Sequence, residues 1–226
     1  MGKAYFVTGT DTDVGKTLIT CGLLEAAGRQ GLNTLALKPV AAGCDMTDEG
    51  LRNDDALKLM DAATIQLPYE QVNPFALRPP IAPHIAARDA GVRMTIDRLS
   101  GYCRGALMRK NDLAFIEGAG GWRVPLNDRE FFSGLPKVMN LPVILVVGMK
   151  LGCINHTVLT VEAILRDGLT LAGWVANRID ADMSCYDENT QTLKSVIPAP
   201  CLGEVPWLQI ADKGAAADYL DISFLI

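Results

Sequence analysis

The sequence predicts an α/β fold built on a mostly parallel central sheet with helices on both faces, and three observations carry that prediction. Short β-branched or aliphatic runs alternate with helix-like stretches along the chain, which is the βαβ pattern. The run Pro142 to Val147 is apolar at every position, which a strand tolerates only when helices cover both sides of its sheet. The 226 residues are 49% hydrophobic and 21% charged, enough for one sizeable core. No repeat, low-complexity tract or composition shift marks a boundary, so one domain over residues 1–226 is expected.

The strands are expected at Tyr5 to Thr8, Thr34 to Lys38, Leu113 to Glu117, Val143 to Gly148, Leu171 to Asn177 and, on a weaker pattern, Cys201 to Val205. Helices are expected at Lys16 to Gln30, where Ile19, Leu23 and Ala27 recur at spacing four, and at Asp54 to Ala63, Thr95 to Lys110, His156 to Asp167 and Tyr186 to Val196. Gly31 and Gly168 stand where glycines end helices. The Pro-rich segment Pro68 to Pro83 reads as a loop over the sheet, because core-like sequence resumes on both sides.

Composition excludes several functions. A net charge of −5 and scattered Lys and Arg leave nothing to neutralise a phosphate backbone, so nucleic acid is not an expected partner. Leu141 to Met149, the most apolar stretch, is far short of the roughly 20 residues that span a bilayer, and no membrane partner is expected. The cysteines Cys21, Cys44, Cys103, Cys153, Cys185 and Cys201 lie far apart with no CxxC pair, as in a cytoplasmic protein with reduced, buried thiols. His84 and His156 cannot form a histidine-rich metal site, and no HExxH, HRD or strand-linked GxGxxG occurs. Zinc hydrolase, protein kinase and dinucleotide-dependent readings therefore fail.

The first strand runs into Gly9-Thr10-Asp11-Thr12-Asp13-Val14-Gly15-Lys16-Thr17, which opens the first helix. Glycines let backbone N–H groups turn toward phosphates, the helix start adds partial positive charge, Lys16 reaches the β- and γ-phosphates, and the Thr17 hydroxyl suits Mg²⁺. Five residues separate Gly9 from Gly15 rather than the usual four, so this is a longer phosphate-binding loop, and the fold is expected to be P-loop NTPase-like. Mg²⁺ wants hard oxygen ligands. Glu117 ends an apolar strand before Gly118-Ala119-Gly120-Gly121, which sets its carboxylate at the same sheet edge as the loop, in the Walker-B position. Asp55 follows Arg52-Asn53-Asp54 and reads first as a helix-start acid. Lys38, directly before Pro39, ends the second strand at that edge, where a solvated surface lysine is the competing explanation.

These residues resemble the dethiobiotin synthetase family, and the resemblance spans nearly the whole chain. Gly9 to Thr17, Lys38-Pro39-Val40, Gly50 to Asn53, Glu117 to Trp122, Leu151 to His156, Gly173 to Asn177 and Gly203 to Trp207 match its motifs in order. The resemblance implies a homodimer with shared active sites that turns 7,8-diaminopelargonate, CO₂ and MgATP into dethiobiotin, ADP and phosphate. A substrate amine captures CO₂ as a carbamate, ATP phosphorylates it, and the second amine closes the cyclic urea. Thr17, Asp55 and Glu117 are implied as Mg²⁺ ligands, with Lys38 and Lys16 as the catalytic cations. Thr12, Asp13, Val14, Gly15, Lys16, Thr17, Leu18, Asp55, Glu117, Gly118, Ala119 and Gly120 are implied around the phosphates. Asn177, Arg178, Pro206, Trp207 and Leu208 are implied at the adenine. Lys38, Ala42, Gly120 and, from the partner chain, Asn155 are implied at the substrate.

Two positions depart from the family pattern. Ala42 stands where a serine hydroxyl commonly meets the substrate, and Asn189 stands where a tyrosine serves the substrate carboxylate, with Tyr186 one helical turn away. The resemblance leaves open the carboxylate end of the pocket and the far adenine contact around Asp212. An ATP-gated switch of the ParA/MinD type is the alternative function, but its early second loop lysine is missing from Gly9 to Val14, and Tyr219 to Ile226 carries no basic membrane-binding face. A low-activity paralogue of the synthetase is the other alternative, kept open by Ala42.

Overall fold

The computed structural model describes residues 2–209 and 212–226. In chain order the first half comprises β1 (Lys3–Gly9), α1 (Lys16–Arg29), β2 (Thr34–Leu37), β3 (Val40–Ala42), β4 (Asp45–Thr47), β5 (Gly50–Arg52), α2 (Asp54–Ala62), α3 (Tyr69–Val72), β6 (Phe75–Leu77), α4 (Pro83–Asp89) and α5 (Ile96–Leu107). The second half comprises β7 (Leu113–Glu117), α6 (Gly134–Met139), β8 (Val143–Met149), α7 (Cys153–Arg166), β9 (Leu171–Arg178), α8 (Tyr186–Val196), β10 (Cys201–Val205) and α9 (Lys213–Ala217).

All six expected strands form one sheet in the order β10-β9-β8-β1-β7-β2, with every neighbour parallel. β8 is buried at all positions, and its side chains alternate between two cores as the pleat requires. Leu145 and Val147 join Phe6, Leu37 and Trp174 on one face, while Ile144 and Val146 join Val7, Ile19, Leu23 and Phe115 on the other. Each such fully buried aliphatic or aromatic side chain contributes about 1.5–3 kcal/mol, which is what fixes the register. β1 sits between β7 and β8, where the chain's crossovers reverse direction. In open α/β sheets that switch point, at the carboxyl ends of the strands, is where the ligand crevice forms.

Helix ends follow local chemistry. Asn53 Oδ1 accepts from Ala56 N at 3.2 Å to cap α2, and Thr95 caps α5 by accepting from Arg98 N at 3.3 Å. Gly31 and Gly168, with φ of 78° and 79°, follow α1 and α7 as expected. α5 stops at Leu107 rather than Lys110: Met108 N and Arg109 N donate to Gly105 O and Ala106 O at 3.3 and 3.2 Å, a tighter turn that ends the helix. α7 begins at Cys153, three residues before the expected His156, since Gly152 at φ 92° supplies the entry turn without a polar capping side chain.

The segment Pro68 to Pro83 is not a plain loop. It folds into α3 and β6 and reaches the start of α4, and β6 pairs in parallel with β3, Val40 opposite Phe75. Tyr69, Val72, Phe75 and Leu77 are buried in the core, so apolar anchoring overrides the proline-rich composition. The cysteines also differ from expectation: all six are free, but Cys185 is exposed at the start of α8 and Cys201 is half-buried. Among the described residues no helix is long and apolar enough to cross a membrane.

Candidate active site

β1 delivers the chain into the glycine turn at the sheet edge. Thr10 N donates to Val146 O at 3.0 Å, anchoring the turn to β8. Gly15 adopts φ 85°, and a Cβ there would collide with the Asn177 amide, so only glycine closes the turn against β9. Asn177 Nδ2 in turn donates to Val14 O at 2.9 Å. Because Gly15 precedes α1 without a side-chain cap, the first N–H groups of that helix remain available to an anion. Lys16 is buried, and its Nζ donates to Asp11 O at 3.0 Å. Burial, and then the nearby Lys38 charge, push its pKa down to about 8.

Three elements converge beside this turn. Glu117, at the end of β7, is wholly buried, and its Oε1 accepts from Lys38 Nζ at 2.5 Å and from Thr17 Oγ1 at 2.8 Å. Lys38 Nζ also donates to Asp55 Oδ2 at 3.1 Å, bridging the β7 carboxylate to the first turn of α2. Burial would depress the Lys38 ammonium, but Glu117 and Asp55 outweigh it and hold its pKa above the ordinary lysine value. Burial would raise Asp55, yet Lys38 and Thr17 beside it bring its pKa below the usual carboxylate value. The strand-end lysine is therefore not a solvated surface group, and Asp55 is not simply a capping acid; Asn53 caps the helix instead.

These groups border a cavity of about 1130 Å³. Of the expected site residues, Thr12, Asp13, Gly15, Lys16, Thr17, Leu18, Lys38, Ala42, Asp55, Ala119 and Gly120 line it, and Asp212 does as well. Val14, Glu117 and Gly118 lie behind the lining: Val14 and Glu117 are wholly buried, and a Cβ on Gly118 would come within 3.0 Å of the Phe6 ring. Asn177, Arg178, Pro206, Trp207 and Leu208 do not line it; Asn177 is buried against the glycine turn, whereas Trp207 is 51% exposed. Asn155 sits on the exposed face of α7, away from the cavity. Tyr186 stacks under the Arg178 guanidinium at 4.9 Å and Asn189 donates to Cys185 O at 2.7 Å, so neither side chain reaches the cavity within this chain.

Sequence reasoning missed a second set of lining groups. Lys58 and Asp61 follow Asp55 at roughly one helix face, and Lys213 Nζ reaches across from α9 to Asp61 Oδ2 at 2.6 Å. The i, i+3, i+6 spacing from Asp55 was the available signal. Pro80 to Pro83 and Arg123 to Pro125 line another stretch, and nothing local in those residues points to a site. Arg123 is held by a bidentate pair with Asp167, at 2.7 and 3.1 Å, which also receives Trp122 Nε1 at 3.0 Å.

A glycine turn feeding a helix, a strand-end acid and two lysines at the switch point of a parallel sheet define a P-loop nucleotide-binding protein. Residues 3–214 match the AAA domain family. The septum site-determining protein MinD of Pyrococcus horikoshii OT3, solved with Mg-ADP, superposes with a TM-score of 0.60 at 17% identity over 99% of this chain and 89% of that one; at that identity the likeness shows the fold alone. Among curated proteins, the ATP-dependent dethiobiotin synthetase BioD of Cellvibrio japonicus is 58% identical over 224 residues, covering 99% of this chain and 98% of the relative. The protein of the same name from Pseudomonas aeruginosa is 57% identical, covering 97% and 96%. This chain belongs to the ATP-dependent dethiobiotin synthetase family, a family of ligases of biotin biosynthesis. The relatives do not favour the switch alternative.

Proposed function

We propose that this chain, as one domain, converts 7,8-diaminopelargonate, CO₂ and MgATP into dethiobiotin, ADP and phosphate. The observation that carries the proposal is the buried Lys38 ammonium, held by Glu117 and Asp55 next to Lys16 and Thr17 at the phosphate turn. A carbamate oxygen attacking the γ-phosphorus creates a crowded anion, and two fixed cations with backbone N–H groups stabilise it without reorganisation. One substrate amine adds to CO₂ and loses a proton, giving the carbamate. The carbamate takes the γ-phosphoryl group and releases ADP. The second amine then attacks the mixed anhydride carbon, expelling phosphate and closing the ring. Lys38 serves the carbamate and phosphoryl oxygens, and Lys16 the ATP phosphates.

Thr17, Asp55 and Glu117 suit Mg²⁺ by donor chemistry, a hydroxyl and two carboxylates, and Glu117 Oε2 is buried with no hydrogen-bond partner among the described residues. Bound there, Mg²⁺ supplies charge neutralisation on the phosphates. Thr12 to Leu18 and Gly118 to Gly120 hold the phosphates, Asn177, Arg178 and Pro206 to Leu208 the adenine, and Lys38, Ala42 and Gly120 the substrate. We assign the functional unit to a homodimer, in which Asn155 serves the partner's substrate. Leu159, 57% exposed, lies one turn beyond Asn155 on α7, and Leu151, 93% exposed, lies in the turn before that helix; both are exposed apolar groups for that contact to cover. The six free cysteines support a cytoplasmic location. The test is ADP release by purified protein. It should require both bicarbonate and the diamine and yield dethiobiotin in equal amount; ATP hydrolysis indifferent to the diamine would refute the function.

A further inference from the structure

We propose that Tyr69 and Asn73 are positioning residues for this reaction, joining the backbone that carries Lys38 to the helix that carries Asp55. The inference rests on the synthetase function above. Lys38 lies one residue beyond β2, and Pro39 has no N–H to continue the ladder, so the sheet does not hold the lysine's peptide groups. The end of α3 holds them instead: Lys38 N donates to Val72 O at 2.9 Å, and Asn73 Nδ2 donates to Lys38 O at 2.6 Å. Asn73 Oδ1 accepts from Tyr69 Oη at 2.9 Å, and Tyr69 Oη accepts from the Asn53 backbone N–H at 2.7 Å. Asn53 caps α2, two residues before Asp55.

A continuous chain of three hydrogen bonds thus links the lysine's carbonyl to the helix start that presents its carboxylate partner. Its direction is fixed. Lys38 O can only accept, so the Asn73 amide nitrogen must face it and the amide oxygen must face the Tyr69 hydroxyl. Tyr69 and Asn73 are both buried, and the Arg52 guanidinium lies 4.2 Å over the Tyr69 ring, pinning it in place. Neither side chain lines the cavity, so an effect on turnover passes through the groups they hold: Lys38, and the Asn53 turn that carries Asp55. A displacement near 1 Å at the reacting centre costs about 100-fold in rate, and opening this chain is a route to such a displacement.

The experiment compares wild type, Tyr69→Phe, Asn73→Ala and the double variant by steady-state kinetics, with kcat expressed per ATP-binding site from equilibrium ATP titration. The expected kcat falls about 10-fold for Tyr69→Phe and about 100-fold for Asn73→Ala, with KM for ATP within about twofold of wild type. The double variant should be no slower than Asn73→Ala, because both changes open one chain. Tyr69→Phe keeps the ring under Arg52 and decides the matter if Asn73→Ala does not fold. Unchanged kcat in an active background overturns the positioning role alone. So do multiplying effects in the double variant, or a loss of ATP sites in proportion to turnover, which marks a purely structural role. Failure of both single variants to fold overturns it as well. A wild type that makes no dethiobiotin overturns the synthetase function and this inference with it.

Discussion

The glycine turn and the Lys38 cradle face the same cavity but are built in opposite ways. The turn is local: nine consecutive residues, Gly9 to Thr17, supply the backbone bend, the open helix start and the lysine. The cradle is assembled from four distant places, with Lys38 after β2, Asp55 on α2, Glu117 on β7 and Asn73 after α3. Their lysines differ accordingly. Among the described residues Lys16 has only a carbonyl partner, Asp11 O, and its pKa falls to about 8, whereas Lys38 has two carboxylates and its pKa rises. A phosphate site can be encoded by a short stretch of backbone, while a second cation buried beside it needs carboxylates from across the sheet to stay charged.

The largest expected effects separate the two lysines. Lys16→Ala should lower turnover by about 1,000-fold, and Lys38→Ala by about 100- to 1,000-fold, as expected when a preorganised charge on a transferring phosphoryl group is lost. Lys38→Ala should also destabilise the protein by about 3–5 kcal/mol, because it leaves the wholly buried Glu117 carboxylate without its cation. Thermal unfolding of both variants checks the contrast, since Lys16→Ala strands no buried carboxylate. Near-wild-type turnover of Lys38→Ala would remove the cradle from the chemistry.

Mixing subunits asks whether the cradle's site draws on a second chain. Lys38→Ala and Asn155→Ala proteins, each nearly inactive alone, should regain about a quarter of wild-type activity on random reassociation, since half the dimers then hold one intact site. No recovery in verified mixed dimers would assign Asn155 another role. A pH series sharpens the difference in lysine charge. Burial and Lys38 depress Lys16 to about 8, so above that pH the free protein loses the proton that a polyphosphate requires. Between pH 7 and pH 9 the ATP Kd should rise about 10-fold, and Lys16→Ala should abolish that dependence. The smallest effect concerns the substrate side. Ala42→Ser should lower the diamine KM by about two- to 10-fold, the worth of one hydrogen bond, and an unchanged KM would show that another group already fills that role.

The same contrast explains what the sequence made legible. All six sheet strands and the glycine turn could be read because each depends on residues a few positions apart, such as the unbroken apolar run of β8. Glu117 was readable from its strand end and the glycines behind it. Asp55 was not separable from a capping acid by residue type, because the deciding contact, Lys38 Nζ, lies 17 residues away. The Pro68 to Pro83 stretch reads as a loop in the sequence for the same reason. Its order comes from Tyr69, Val72 and Phe75 packing into a core built by other strands, and from β6 pairing with a three-residue β3 too short to announce itself. Lys213, which lines the cavity, pairs with an Asp61 that is 152 residues distant in sequence.

In the proposed reaction one phosphoryl group is held between the local turn and the long-range cradle. A crystal structure with a nonhydrolysable ATP analogue, Mg²⁺ and the diamine tests it most directly. The terminal phosphate should lie within hydrogen-bond reach of both Lys16 Nζ and Lys38 Nζ, with the diamine nitrogens on the Lys38 side. A polyphosphate seated away from Gly9 to Thr17, or a Lys38 ammonium that touches only Glu117 and Asp55 in the ternary complex, would contradict it.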